Sequence, residues 1–224
     1  MNIYHAGVDT SGLGGGPTAD AFTLTIAHLD NRDIVVVDLC RGWKKSRTSH
    51  VDLAGIVGEI ARILKAYGIT ECTGDRYGAQ WVVESFGREG ISYRQSEQDK
   101  SYYYLAIEPL FAQNRIELLD HLQLARELRL LERQPRPGGR TIVDHPRGAH
   151  DDYANSFAIA ATLASQGDGF DAEQFLAMNR LAPERAFNPN RSSWLNMDDT
   201  DSIHPLDKIL DDSRRGGGHG DWHL

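Results

Sequence analysis

The chain has 224 residues, 40% hydrophobic and 25% charged, the balance of a globular protein. No apolar run approaches the ~18 residues of a membrane span, residues 1–7 carry no secretory signal pattern, and two cysteines, Cys40 and Cys72, exclude a disulfide scaffold or a cysteine-rich zinc site and read as reduced thiols of a cytosolic protein. The net charge of -8 is uneven: residues 168–224 hold 11 acidic and 6 basic side chains, a net of -5, which leaves -3 on residues 1–167. That near-balanced body is compatible with nucleic acid, because binding depends on local patches and not on totals.

In chain order, residues 4–9, 21–29 and 34–39 read as a three-strand meander. Phe22, Leu24 and Ile26 alternate with Thr23 and Thr25, and Ile34-Val35-Val36-Val37 is β-branched. The glycine-rich turn 12–17 and the tight turn Asp30-Asn31-Arg32 are short connections, which imply antiparallel pairing. The period then changes. Leu53, Ile56, Val57, Ile60, Ile63 and Leu64 mark a helix over 51–67, capped by Ser49 and ended by Gly68. A strand over 69–74, a helix over 79–88, a strand over 91–94 and a helix over 101–113 follow. A small strand over 116–118, a helix over 122–132, a basic Pro/Gly-rich loop over 134–140, a short strand over 141–143 and a helix over 151–164 complete the body. The pattern predicts an α/β fold: a mixed β-sheet, an antiparallel three-strand meander plus parallel strands, flanked by helices. Residues 1–167 form its one domain, and 168–224 read as an acidic, flexible tail of Pro, carboxylates and the run Gly216–Gly218.

Carboxylates stand at three element ends. Asp9 closes the first strand, Asp75 the fourth, and Asp151 and Asp152 open the last helix. An Asp after a strand is commonly a turn former, and an Asp before a helix a cap. Together, however, they can converge on one sheet edge. Converging carboxylates repel unless a hard cation, Mg²⁺ or Mn²⁺, neutralises them, and two such ions serve in-line phosphodiester cleavage. Arg41, Lys44, Lys45 and Arg47 around Trp43, and Arg133, Arg136, Arg140 and Arg147 around the late loop, suit phosphate contacts as well as a solvated face. Lys100 could touch scissile DNA or be a surface lysine. His145 and His150 lie near the carboxylate helix, within reach of a proton-transfer role. Tyr102, Tyr103 and Tyr104 read as helix core and rim.

Over residues 4–166 the sequence resembles the nuclease domain of the large terminase subunit of tailed bacteriophages, in the RNase H-like (retroviral integrase) superfamily. The resemblance rests on Gly7-Val8-Asp9-Thr10, on Gly74-Asp75-Arg76-Tyr77-Gly78, and on His150-Asp151-Asp152-Tyr153-Ala154-Asn155-Ser156 with its alanine-rich continuation. It implies an RNase H-like fold and a divalent-metal-dependent endonuclease that cuts double-stranded viral DNA concatemers during packaging, in the cytoplasm of an infected bacterium. Carried over, Asp9 is the ligand shared by two metal ions, Asp75 holds one, Asp152 the other, and Asp151 assists. Asn155 departs from the acidic residue that related enzymes often carry there. Double-stranded DNA is the implied substrate; a portal protein, a small terminase subunit and a packaging ATPase are the implied partners. The chain has no Gly-Lys dipeptide and hence no Walker A motif, so it reads as a nuclease domain alone. The same fold also serves Holliday junction resolvases and transposases, and a binding module with degenerate metal sites remains an alternative. The segment Gly7-Val8-Asp9-Thr10-Ser11-Gly12 also resembles the first phosphate loop of actin-like sugar kinases and ATPases, but a second Asp-x-Gly phosphate loop and a glycine-rich adenosine motif are missing.

Overall fold

The structure, a computed structural model, describes residues 2–10, 21–44, 52–75, 80–135 and 141–166. The meander forms as its alternation requires. β1 (Tyr4–Asp9) pairs antiparallel with β2 (Phe22–Leu29), and β2 with β3 (Val35–Trp43). Asp30 builds the β2–β3 turn: its Oδ1 accepts from the backbone N–H of Arg32 (2.8 Å) and of Ile34 (2.9 Å), and Asp33 takes a left-handed φ of 59°. β3 runs four residues past the predicted end. The burial of β3 gives the reason: it alternates through Val35, Val37 and Leu39 and then lapses, with Cys40, Arg41, Gly42 and Trp43 all half-buried. A bulge sits within the strand: Ile26 faces Leu39 but Ala27 faces Val37, which leaves Asp38 as the extra residue.

The chain then alternates helices and strands: α1 (Leu53–Ala66), β4 (Glu71–Gly74), α2 (Gln80–Arg88), β5 (Ser92–Gln95), α3 (Lys100–Ala112), β6 (Ile116–Glu117) and α4 (Leu122–Leu130). α1 is capped by Asp52, whose side chain accepts from Gly55 N–H; the predicted cap, Ser49, lies outside the described residues. A hairpin of β7 (Glu132–Pro135) and β8 (Thr141–Asp144) leads into α5 (Asp152–Ser165). β7 occupies part of the segment predicted as the end of a helix and the start of a basic loop.

The six-stranded sheet has the order β5-β4-β1-β2-β3-β6, with β4 and β5 parallel to β1 and β6 parallel to β3. This is the mixed sheet expected from the sequence. α5 lies on one face, across β1, β2 and β3. Small residues let it come close: Ala154, Ala158, Ala160 and Ala161 are buried, and a Cβ on Gly7 would collide with the Ser156 carbonyl and the Ala160 nitrogen. Polar groups stitch the same contact. The Thr23 hydroxyl donates to the Asp152 carbonyl (2.7 Å), and Ser156 Oγ lies 3.0 Å from Thr23 and 3.1 Å from Thr25. α3 and α4 pack on α5 and complete a core of Tyr104, Ile107, Leu110, Leu124, Leu128 and Phe157. On the other face α1 buries Val57, Ile60, Ala61 and Leu64, and its Glu59 binds both Arg41 (2.7 Å) and the Trp43 indole (2.9 Å). The predicted tail, 168–224, lies outside the described residues.

Candidate active site

Parallel pairing brings two strand ends together. Val8 is in register with Gly74, so Asp9, the last residue of β1, and Asp75, the residue after β4, come at the same edge of the sheet. Asp9 is 4% exposed and Asp75 half-buried. Asn155, one turn into α5, donates its amide to Asp9 Oδ2 at 2.7 Å. An amide at this position thus holds the Asp9 carboxylate and adds no charge.

The two carboxylates at the start of α5 diverge, Asp151 being the non-helical residue before the helix and Asp152 its first residue. Asp152 leans toward β2, and its Oδ2 accepts from the Ala21 backbone N–H at 2.7 Å. Asp151 leans toward α3 and β8. Its Oδ2 accepts from Lys100 Nζ (3.0 Å) and from the Tyr104 hydroxyl (2.9 Å), and its Oδ1 lies 3.5 Å from His145 Nε2. Lys100 also binds Asp144 Oδ1 at 2.6 Å. Asp99 caps α3 one residue before Lys100 and so fixes where that ammonium begins. Although burial alone disfavours its charge, Asp151 and Asp144 together hold the Lys100 ammonium above its ordinary range. Asp144 is held below the usual carboxylate range, Lys100 outweighing the effect of burial. Among the described residues, Asp144, His145 and Asp151 are the one acidic or histidine set whose ligand atoms lie within 4.8 Å of each other.

Two tyrosines line the site. Tyr104 is fully buried; its hydroxyl is pushed far up, first by burial and then by Asp151, with Asp9 contributing. Tyr93 stacks on Phe86 (centroids 5.3 Å apart) and places its hydroxyl over Gly74, where any Cβ would collide with it. That hydroxyl is turned toward Thr10 but makes no hydrogen bond of full geometry to a described residue. Burial mainly, with Asp9 and Asp75 adding, keeps it protonated.

The predicted basic residues separate. Lys100 is at the site. Arg41 is committed to Glu59, and Arg133 to Glu108. Lys44 is exposed, 6.0 Å from the Tyr153 ring centroid, and Arg147 is exposed in the β8–α5 loop. Lys45, Arg47, Arg136 and Arg140 lie outside the described residues. His150 is half-buried just before Asp151. Sequence reasoning missed Asp144, Tyr93, Tyr104 and Glu127. Only Glu127 left a signal, as a carboxylate on the apolar stripe of Leu124 and Leu128.

No protein-family model and no curated protein matches the sequence. Solved structures do. The large terminase nuclease from thermophilic phage G20c superposes with a TM-score of 0.57 at 18% identity, over 71% of this chain and 81% of that one. The fold is that of a large terminase nuclease. The nuclease domain of the Thermus phage P74-26 large terminase matches at 0.56 and 17% identity, over 76% of this chain and 84% of that one. The HK97 bacteriophage large terminase matches at 0.60 and 17% identity, over 73% of this chain but only 40% of that longer one. The G20c nuclease has also been solved with bound magnesium and with bound cobalt. At these identities the likeness concerns the terminase nuclease fold, and what this chain does has to be argued from its own site.

Proposed function

We propose that the chain is a divalent-metal-dependent endonuclease that cuts double-stranded DNA, working on viral concatemers during genome packaging. One observation carries this reading: Asp9 and Asp75 stand side by side at the ends of parallel strands, under the N-terminus of a helix that opens with two more carboxylates. The donor set is oxygen-rich and suits a hard cation such as Mg²⁺ or Mn²⁺. Asp9 would be shared by two ions, with Asp75 on its β4 side and Asp152 on its β2 side; Asp151 would assist. When bound, such ions neutralise phosphate charge and supply an activated water for phosphodiester hydrolysis.

The protein's own groups do the rest. Asn155 fixes the rotamer of Asp9. Lys100 neutralises Asp151 and Asp144, and lies where it can also meet a phosphate oxygen. His145 and His150 flank the carboxylate helix as candidates for moving a proton. Lys44 and Arg147, with Lys45, Arg47 and Arg140, are the candidates for gripping the duplex through its phosphates, without base specificity. Portal protein, a small terminase subunit and a packaging ATPase are the partners this reading implies, in the cytoplasm of an infected bacterium.

Supercoiled plasmid incubated with the protein in Mg²⁺, in Mn²⁺ and in EDTA tests the proposal. Nicked or linear product with either ion and none in EDTA is expected. Plasmid intact in both ions at high protein concentration sinks it.

A further inference from the structure

Glu127 is a buried carboxylate outside the strand-end site. It sits on α4, 2% exposed, and faces the first turn of α5. Its Oε2 accepts from the backbone N–H groups of Tyr153 (2.8 Å) and Ala154 (3.0 Å), and its Oε1 from the Gln123 amide (2.9 Å). Tyr153 and Ala154 are the second and third residues of α5. Their N–H groups are the ones that the side chain of the residue before a helix normally satisfies. That residue here is Asp151, a preferred capping type, and its side chain makes no capping bond.

We propose that Glu127 is a positioning residue that caps α5 in place of Asp151 and so releases the Asp151 carboxylate to the active site. The geometry excludes both arrangements at once. An Asp151 side chain turned onto Tyr153 and Ala154 could not also accept from Lys100 and Tyr104, and the two N–H groups are already filled by Glu127. The positive end of the helix dipole favours an anion there, and the neighbouring helix supplies it. Asp152 is spared in the same way and reaches the start of β2 instead. Without Glu127, Asp151 becomes the nearest cap, turns away from Lys100, and the site loses a carboxylate while keeping its fold.

This inference rests on the metal-dependent reading above, and Mn²⁺ binding followed by electron paramagnetic resonance tests it apart from cleavage. Wild type and E127A are titrated with Mn²⁺ at a temperature where circular dichroism shows both folded. The Asp151 carboxylate, with Asp144 and His145, offers a ligand atom to one group within 4.8 Å; loss of a residue that orients such a carboxylate typically weakens metal binding by about tenfold or more, and E127A is expected to show that loss together with a higher Mn²⁺ requirement for plasmid cleavage. E127Q, which keeps an acceptor oxygen but not the charge, is expected to fall between the two at about threefold. E127A binding Mn²⁺ like wild type overturns the proposal and leaves the nuclease reading standing. If E127A does not fold, E127Q decides, and wild-type binding by that variant overturns the proposal. A wild-type protein that neither binds Mn²⁺ nor cuts DNA overturns both readings together.

Discussion

The two ends of the central sheet are built on opposite plans. At the end where β1 begins, His28 Nδ1 lies 2.6 Å from Asp38 Oδ2. Tyr4 packs edge-on against both the His28 ring (5.2 Å) and Tyr67 (5.1 Å), so the His28–Asp38 pair is enclosed by aromatic rings. At the other end Asp9, Asp75, Asp151 and Asp152 stand at strand ends and at the start of α5, and Lys100 joins Asp151 to Asp144. The first arrangement is complete in itself. The second gathers carboxylates from β1, β4, β8 and the start of α5, placed there by the sheet and by the packing of α5 on it. The difference teaches where to look for chemistry: at the end where carboxylates from separate elements come together.

If this contrast is right, substitutions at the two ends separate activity from stability. The largest effect is expected from D9N. It keeps the volume and the Asn155 contact but removes the central charge, and plasmid cleavage should drop by about 10³-fold or more, several kcal/mol of lost charge stabilisation. Its melting temperature in EDTA should stay within about 3 °C of wild type; a folded D9N that still cuts removes Asp9 from the site. At the opposite end D38N should do the reverse. Losing the charge-assisted bond to His28 should lower stability in urea by about 1.5–3 kcal/mol with the cleavage rate unchanged at a temperature where the variant is folded.

Lys100→Met sharpens the comparison further. It leaves Asp144 and Asp151 without their cation, so its melting temperature should fall in EDTA and recover on adding Mn²⁺. Equal deficits with and without the ion would show that Lys100 and a metal do not act on the same charge. The smallest effect concerns His121, whose Nδ1 accepts from Leu124 N–H (3.1 Å) and caps α4. Burial, chiefly, lowers its pKa. The unfolded chain therefore takes up a proton near pH 6.5 before the folded one does, and stability is lost as pH falls through and below that value. H121N caps without titrating, so its melting temperature should fall less than wild type between pH 7 and pH 5.

How much of this was legible depends on the range of the forces involved. The meander showed in its alternation, and Asp9 and Asp75 were visible as carboxylates closing apolar strands. The end of β3 was not, because Cys40-Arg41-Gly42-Trp43 carries no apolar alternation and is half-buried throughout. β7 was missed because Glu132-Arg133-Gln134-Pro135 has no apolar face; it is a strand only by virtue of pairing with β8. In the candidate site, the sequence placed Asp151 and Asp152 together at a helix start, where both read equally as caps or ligands. What distinguishes them is supplied by Lys100, Tyr104, Ala21 and Glu127, residues 24 to 131 positions away, and no local pattern carries such information.

The close approach of α5 to Gly7 has a bearing on how kin of this protein could be recognised. Carboxylates at strand ends are common and make poor search terms. A backbone laid directly on a backbone is rarer. It demands a glycine two positions before the strand-end aspartate, and it goes with small buried residues on the facing helix, Ala154, Ala158, Ala160 and Ala161. A profile weighted toward those small residues, with the acidic ones as secondary terms, would retrieve chains able to seat a helix this tightly on a sheet, even where identity has dropped below the level at which whole sequences align.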